Sequence, residues 1–276
     1  MLRSLLAAGL ICLAPAALAQ TDSPIGFGEP RSGFIACRGN NTFVFEANQG
    51  DRIAVHLAEI NDTGGVCGGR ACCCFDQMVR ILDSDSTIIA EKFYTHGNNC
   101  SARARVVLWE VEMPTAGQYT LFVSDGDNFG NGFYNVFVQR TNAPDSITEV
   151  MQSGDSFLKD LPSGQVHTYT FNVKPGRNRT AGVLTALIRM VPDGSSTVVP
   201  WLDLYDPTGR LVESPQSGFV EHVLKKEGTY TLLAYSQLNE TGQYRIFLDT
   251  TTVAARELTW SMIKRLYRHS ASSEGN

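Results

Sequence analysis

The sequence predicts an all-β protein: two tandem antiparallel β-sandwiches followed by a short C-terminal amphipathic helix. Three observations carry this. A strand-pair signature occurs twice, as G-Q-Y-T-L-F-V (Gly117 to Val123) with G-F-Y-N-V-F-V (Gly132 to Val138), and as G-T-Y-T-L-L-A (Gly228 to Ala234) with G-Q-Y-R-I-F-L (Gly242 to Leu248). From Thr21 to Thr250, apolar residues alternate with period two between Gly, Pro, Asn and Asp turns, and helical spacing is nearly absent. Such strands bury one face each and need a second sheet against it. After Thr252 the period changes, and Leu258, Met262, Ile263, Leu266 and Tyr267 fall at helical spacing.

Taken in chain order, residues 1–19 read as a secretory leader. Arg3 supplies a positive start, Leu5 to Leu18 an apolar run too short to span a bilayer comfortably, and Ala17-Leu-Ala19 a small-x-small cleavage pattern. The mature chain is therefore expected to be exported, to the cell exterior, the cell surface or the periplasm. Losing Arg3 with the leader leaves 22 basic residues from 23, against 28 acidic ones. That balance disfavours a nucleic-acid partner.

Residues 20–142 form the first expected sandwich and hold every remaining cysteine: Cys37, Cys67, Cys72, Cys73, Cys74 and Cys100. In an oxidising compartment this even set reads as up to three disulfides, with the Cys72-Cys-Cys74 run reaching separately to the other three. A thiolate metal site is the competing reading, but the spacing lacks a paired C-x-x-C frame.

Residues 143–250 form the second sandwich, with the seam at Thr141-Asn-Ala-Pro-Asp145. Tyr169 to Gly176 matches Phe43 to Gly50, and Leu202 to Thr208 matches Val79 to Asp85, in the same order as the doubled signature. Residues 251–276 form the helical tail, with Lys264, Arg265, Arg268 and His269 gathered where the helix dipole favours cations. Its apolar face can pack on its own domain, dock on a partner or lie on an anionic membrane surface. The last few residues are expected to be disordered.

Two constellations are candidate sites. In Ser124-Asp-Gly-Asp-Asn-Phe-Gly-Asn131, the residues Asp125, Asp127, Asn128 and Asn131 crowd oxygen ligands into a turn, which suits calcium, although no Glu stands at an EF-hand's twelfth position. The bland alternative is a solvated hairpin loop. In Trp201-Leu-Asp-Leu-Tyr205, alternation sends Leu202 and Leu204 to the core and Trp201, Asp203 and Tyr205 to the other face. That face can meet a sugar ring or a protein, or can be covered by the neighbouring domain or the tail. Gly154-Asp-Ser156 resembles a nucleophile block, but no downstream histidine stands in an Asp-x-x-His pattern. No catalytic residue is assigned.

With these residues in view, both halves resemble the bacterial pre-peptidase C-terminal (PPC) domain, the second more closely. The resemblance lies in Gly154-Asp-Ser-Phe-Leu-Lys-Asp-Leu161, Tyr169 to Val173, Leu202 to Gly209, Gly228 to Leu232 and Thr241 to Tyr244. It reaches the first half through Phe43 to Gly50 and Gly117 to Val138, while the cysteine-rich insertion departs from the pattern. The resemblance implies a jelly-roll-like sandwich of a secreted bacterial protein, non-catalytic, with no required cofactor and calcium in some relatives. The expected role is a subunit or accessory component of an extracellular or periplasmic assembly, through a protein partner or self-assembly. A carbohydrate- or matrix-binding module is the alternative, and a secreted hydrolase the least favoured.

Overall fold

The computed structural model describes residues 23–36, 38–61, 75–95, 105–127, 130–174 and 182–254. The expected leader, the six cysteines named above, Asn128 and the tail positions Leu258, Met262, Ile263, Leu266 and Tyr267 lie outside them. Every regular element among the described residues is a strand.

The chain runs through the same topology twice. In the first half the strands are β1 (Ser23–Pro24), β2 (Pro30–Ile35), β3 (Asn40–Ala47), β4 (Arg52–Asn61), β5 (Gln77–Leu82), β6 (Ile88–Phe93), β7 (Arg105–Glu112), β8 (Gly117–Asp125) and β9 (Gly132–Arg140). In the second they are β10 (Glu149–Met151), β11 (Asp155–Leu161), β12 (Val166–Val173), β13 (Gly182–Pro192), β14 (Pro200–Tyr205), β15 (Leu211–Glu213), β16 (Phe219–Val223), β17 (Gly228–Ser236) and β18 (Gly242–Ala254). The first half pairs β1-β3-β8-β5-β6 in a five-stranded sheet and β2-β9-β4-β7 in a four-stranded one. The second pairs β10-β12-β17-β14-β15 and β11-β18-β13-β16. Adding nine to each strand number converts one half into the other. The doubled signature is β8 with β9 and β17 with β18, and the two strands of each pair lie in opposite sheets.

Each half closes on its own core. Phe43, Phe45, Val55, Leu57, Val79, Ile81, Tyr119 and Val136 fill the first, and Tyr169, Phe171, Ile188, Leu202, Leu204, Tyr230 and Ile246 the second. The tyrosine of the first G-x-Y strand in each pair does the same work in both halves. Tyr119 stacks on Phe45 and donates its hydroxyl to the Thr115 carbonyl at 2.7 Å. Tyr230 stacks on Phe171 and donates to the Lys226 carbonyl at 3.1 Å. The ring is buried while its hydroxyl ties down the turn four residues earlier, so neither polar atom is left unpaired in the core.

Where a helical tail was expected to begin, the chain is still a strand: β18 continues through Thr251 to Ala254, pairing with Gly182 of β13. The run Thr250-Thr-Thr-Val253 is β-branched throughout and therefore suits the pleated ladder better than a helix.

The halves are not beads on a string. The four-stranded sheet of the first lies face to face on the five-stranded sheet of the second, giving four layers. Ala54 and Phe137 from the first half form a third apolar cluster with Val166, Tyr205, Leu233 and Tyr235 from the second. Thr141 Oγ1 donates to the Gly209 carbonyl at 2.8 Å, Thr231 Oγ1 to the Thr141 carbonyl at 2.9 Å, and Asn135 Nδ2 to the Ser163 carbonyl at 2.8 Å. Gly209 shows how close the approach is. Its φ is +76°, and a Cβ there would stand 2.8 Å from Thr141 Oγ1 and 2.9 Å from Arg52 Cβ.

Candidate functional site: an aromatic cleft between the sandwiches

The junction is built around one buried carboxylate. Alternation on β14 sends Leu202 and Leu204 into the second core and Trp201, Asp203 and Tyr205 to the opposite face, which the first half covers. Asp203 and Tyr205 are fully buried. Asp203 Oδ1 accepts from Ser214 Oγ at 2.5 Å and Trp201 Nε1 at 3.2 Å, and Oδ2 accepts from Tyr235 OH at 3.0 Å and, across the junction, from Trp109 Nε1 at 3.1 Å. Burial raises its pKa, while the four donors pull the other way. Being wholly covered, Asp203 and Tyr205 organise the junction and present nothing to a polymer in solvent.

A β-bulge aims the first half's contribution. Ile53 pairs with Val111 but Val55 with Leu108, so Trp109 and Glu110 together oppose Ala54, and Glu110 has a φ of +56°. The extra residue turns both side chains toward the second half. Trp109 reaches Asp203, and Glu110 Oε1 accepts the Leu211 N–H at 2.7 Å. Beside them His56 Nε2 lies 3.9 Å from Asp203 Oδ2, and its Nδ1 lies 3.5 Å from Arg105 Nη1. Burial, then the Arg105 charge, pushes the His56 pKa well below its ordinary value. Arg105 Nε donates to Asn239 Oδ1 at 3.0 Å, and the guanidinium sits 4.7 Å from the centre of the Tyr235 ring.

Above this cluster the two halves part, leaving a cleft of about 290 Å³. Lys92, Phe93, Tyr94, Arg105 and Trp109 line it from the first half, and Trp201, Tyr235, Gln237 and Leu238 from the second. Trp201 and Tyr235 are stacked, 5.9 Å between ring centres at 17°. Lys92 Nζ lies 4.0 Å from the Trp109 ring centre, and Phe93 remains 63% exposed at the rim. Several ring faces, few polar groups and partial enclosure are the usual composition of a small-ligand site. Of the three aromatic-face candidates on β14, therefore, Trp201 alone lies at a place a ligand could reach. None of His56, Lys92, Phe93, Tyr94, Arg105 and Trp109 stands among the candidates read from the sequence; the adjacent aromatic residues Phe93 and Tyr94 at the end of β6 are the one local signal that could have drawn attention there.

The acidic loop uses its carboxylate internally. Asp125 is fully buried, and its Oδ1 accepts the Asp76 N–H at 2.7 Å while Oδ2 accepts the Gly130 N–H at 2.8 Å. Burial, then hydrogen bonding with Asp127, raises its pKa to about 7. Both Asp125 oxygens are thus committed to holding the hairpin, Asn131 is buried, and Asn128 is outside the described residues. Among the described residues no group of three or more His, Cys, Asp or Glu side chains that could hold a metal ion is gathered.

The G-D-S block is a turn and a strand start. Gly154 has a φ of +92°, the Asp155 carboxylate accepts the Gln152 N–H at 2.7 Å, and Ser156 is exposed on β11 opposite Phe247. His167 Nδ1 is 2.6 Å from the Tyr244 hydroxyl, and His222 Nδ1 is 3.1 Å from Glu213 Oε1. Neither ring engages Ser156.

No protein-family model matches the chain. No curated protein matches it either. Solved structures similar to parts of it include the pre-peptidase C-terminal domain of a collagenase from Bacillus anthracis, at 16% identity, covering 40% of this chain and 100% of that one, with a TM-score of 0.29. The periplasmic g-type lysozyme inhibitor PliG of Aeromonas hydrophila is also 16% identical, over 39% of this chain and 97% of that one, with a TM-score of 0.29. Tandem CBM51 modules of a family 98 glycoside hydrolase from Streptococcus pneumoniae are 10% identical over 83% and 84%, with a TM-score of 0.27. At these scores the β-sandwich assignment rests on this chain's own strand pairing.

Proposed function

We propose that the chain is an exported, non-catalytic binding protein, built from two PPC-like sandwiches, that takes a polysaccharide or matrix polymer in the cleft between them. The single observation that supports this most is the cleft itself, whose aromatic walls come from both halves. The buried Asp203 network holds those walls at a fixed spacing, so a ligand meets a preformed surface and little ordering cost is incurred on binding. Phe93 and Tyr94 are the residues to test, because both are exposed enough to be removed without harming the core. In pull-downs on immobilised polysaccharides and collagen, the Phe93→Ala/Tyr94→Ala double variant is expected to bind at least about tenfold more weakly than the parent. Unchanged binding in that variant would remove the cleft from the proposal.

A second reading, a subunit of a larger exterior assembly, is favoured by a different observation. The halves stack head to tail, four-stranded sheet on five-stranded sheet, so each leaves the complementary face uncovered among the described residues. The outer four-stranded face carries Leu158, Val191, Phe219 and Val223, each 38–46% exposed. Head-to-tail contacts of this kind continue into rings or filaments when repeated. Self-assembly through that face would make the mass from light scattering rise with concentration and return to that of a monomer in Phe219→Glu. A monomer at all concentrations would sink the self-assembly form of this reading.

A further inference from the structure

We propose that the cleft receives a carboxylate-bearing sugar ring, the acidic unit of a polysaccharide, with Lys92 and Arg105 serving its carboxylate and the aromatic walls its C–H face. This rests on the cleft being the binding site proposed above and adds the charge class of the ligand.

The charge of the lining runs against that of the chain. The protein carries a formal net charge of −5, yet among the described residues the cleft lining contains two cations and no carboxylate. Asp203, behind the lining, is fully buried and already accepts four hydrogen bonds. Lys92 rests on the Trp109 ring, a contact that leaves its ammonium donors available to an acceptor. Arg105 spends Nε on Asn239, while its buried Nη2 has no hydrogen-bond partner. Its charge, held at the base of the cleft against the Tyr235 ring, attracts an anion entering there. Desolvation lowers the pKa of Lys92, and brings that of Arg105 down to about 10, which leaves it cationic at neutral pH. A carboxylate arriving there would offset the desolvation of both.

The ring part of the ligand follows from shape. The cleft is at the small end of ligand sites, room for a single ring unit, and Trp201 together with the exposed rim rings of Phe93 and Tyr94 gives it flat walls that suit a ring more than an extended chain. An acidic peptide shares the charge but not the planar face.

The test uses the full-length protein and tryptophan fluorescence titrations, since two of its three tryptophans line the cleft. The probes are tri-galacturonate, a hyaluronan tetrasaccharide, the fully methyl-esterified tri-galacturonate and a poly-glutamate peptide. At least one acidic oligosaccharide is expected to bind about tenfold or more tightly than the ester, with the preference shrinking as salt is raised. Lys92→Gln is expected to weaken binding of the acid by about fivefold or more and leave the ester unchanged. Equal binding of acid and ester, both lost in Phe93→Ala/Tyr94→Ala, overturns the charge assignment while the cleft remains a binding site. Poly-glutamate binding as tightly as the acidic sugars overturns the sugar class. No binding of any probe, together with polymer pull-downs indifferent to the rim variant, overturns both this proposal and the site it rests on.

Discussion

Replacing Asp203 with alanine is expected to cost about 3–5 kcal/mol of unfolding free energy, the range for removing one partner from a buried charged cluster. The variant strips the acceptor from Trp109, Tyr235 and Ser214 at once and leaves Trp201 Nε1 with Ser214 Oγ, at 3.0 Å, in place of the carboxylate. It also leaves His56 and Arg105 buried beside a void where a negative charge had been. Two of the four donors are indole N–H groups, which cannot turn round to accept. Asp203→Asn keeps one oxygen, and the Ser214 and Tyr235 hydroxyls can reverse to accept from the amide. One indole still faces an NH2 group, so the expected cost is smaller, about 1–3 kcal/mol. Urea denaturation followed by tryptophan fluorescence checks both variants. Because Trp109 comes from one half and Asp203 from the other, the alanine variant is further expected to unfold in two separable steps as the halves lose their coupling. A single transition within about 1 kcal/mol of the parent would show that the network is not what joins the sandwiches.

Acidification is expected to weaken the fold through two histidines, His56 buried and His167 half-buried. His167, held against Tyr244 inside the second sandwich, has its pKa lowered from 6.5 to about 4 by burial and then by the Lys159 charge, with Asp160 opposing. His56 moves in the same direction at the junction. A depressed folded-state pKa means the unfolded chain binds the proton first. The stabilisation is therefore complete above about pH 6.5 and is lost as the pH falls toward 4. For His167 that amounts to roughly 3 kcal/mol at 1.36 kcal/mol per pKa unit. Asp203 and Asp125 have raised folded-state values, so their contributions are present in acid and lost as the pH rises, opposing the histidines. A difference experiment separates them. His167→Asn puts an amide oxygen near the Nδ1 position and cannot titrate, so its unfolding free energy is expected to vary with pH between 6.5 and 4 by roughly 3 kcal/mol less than the parent's. Parallel pH profiles for the two proteins would refute the assignment.

Much of the sandwich pattern could be read from local chemistry. Period-two alternation in Leu202-Asp-Leu or Phe43-Val-Phe is a direct consequence of side chains alternating across a strand. Gly117, Gly154 and Gly228 all have positive φ at turns preceding strands, as a repeated turn glycine implies. The end of β18 was misjudged because Leu258 onward has helical spacing, whereas the β-branched run before it answers to the ladder opposite. Trp201 could be placed on the correct face of its strand by counting residues, but what stands against that face could not, because alternation specifies a direction and not a neighbour.

The site lies on that missing information. Lys92, Trp109 and Trp201 are drawn from strands in both halves, and a bulge at Trp109-Glu110 sets their angle. A bulge is one extra residue in a ladder, visible only once the opposite strand is in register. By itself the sequence determined a duplicated β-sandwich and which residues of each strand share a face, since both depend on interactions between near neighbours along the chain. Only the tertiary structure decided that the two sandwiches stack face to face, that Asp203 is buried between them, and that aromatic residues distant in sequence meet in one cleft. Those outcomes depend on the shape and polarity of two sheet faces that meet only after each sandwich has formed.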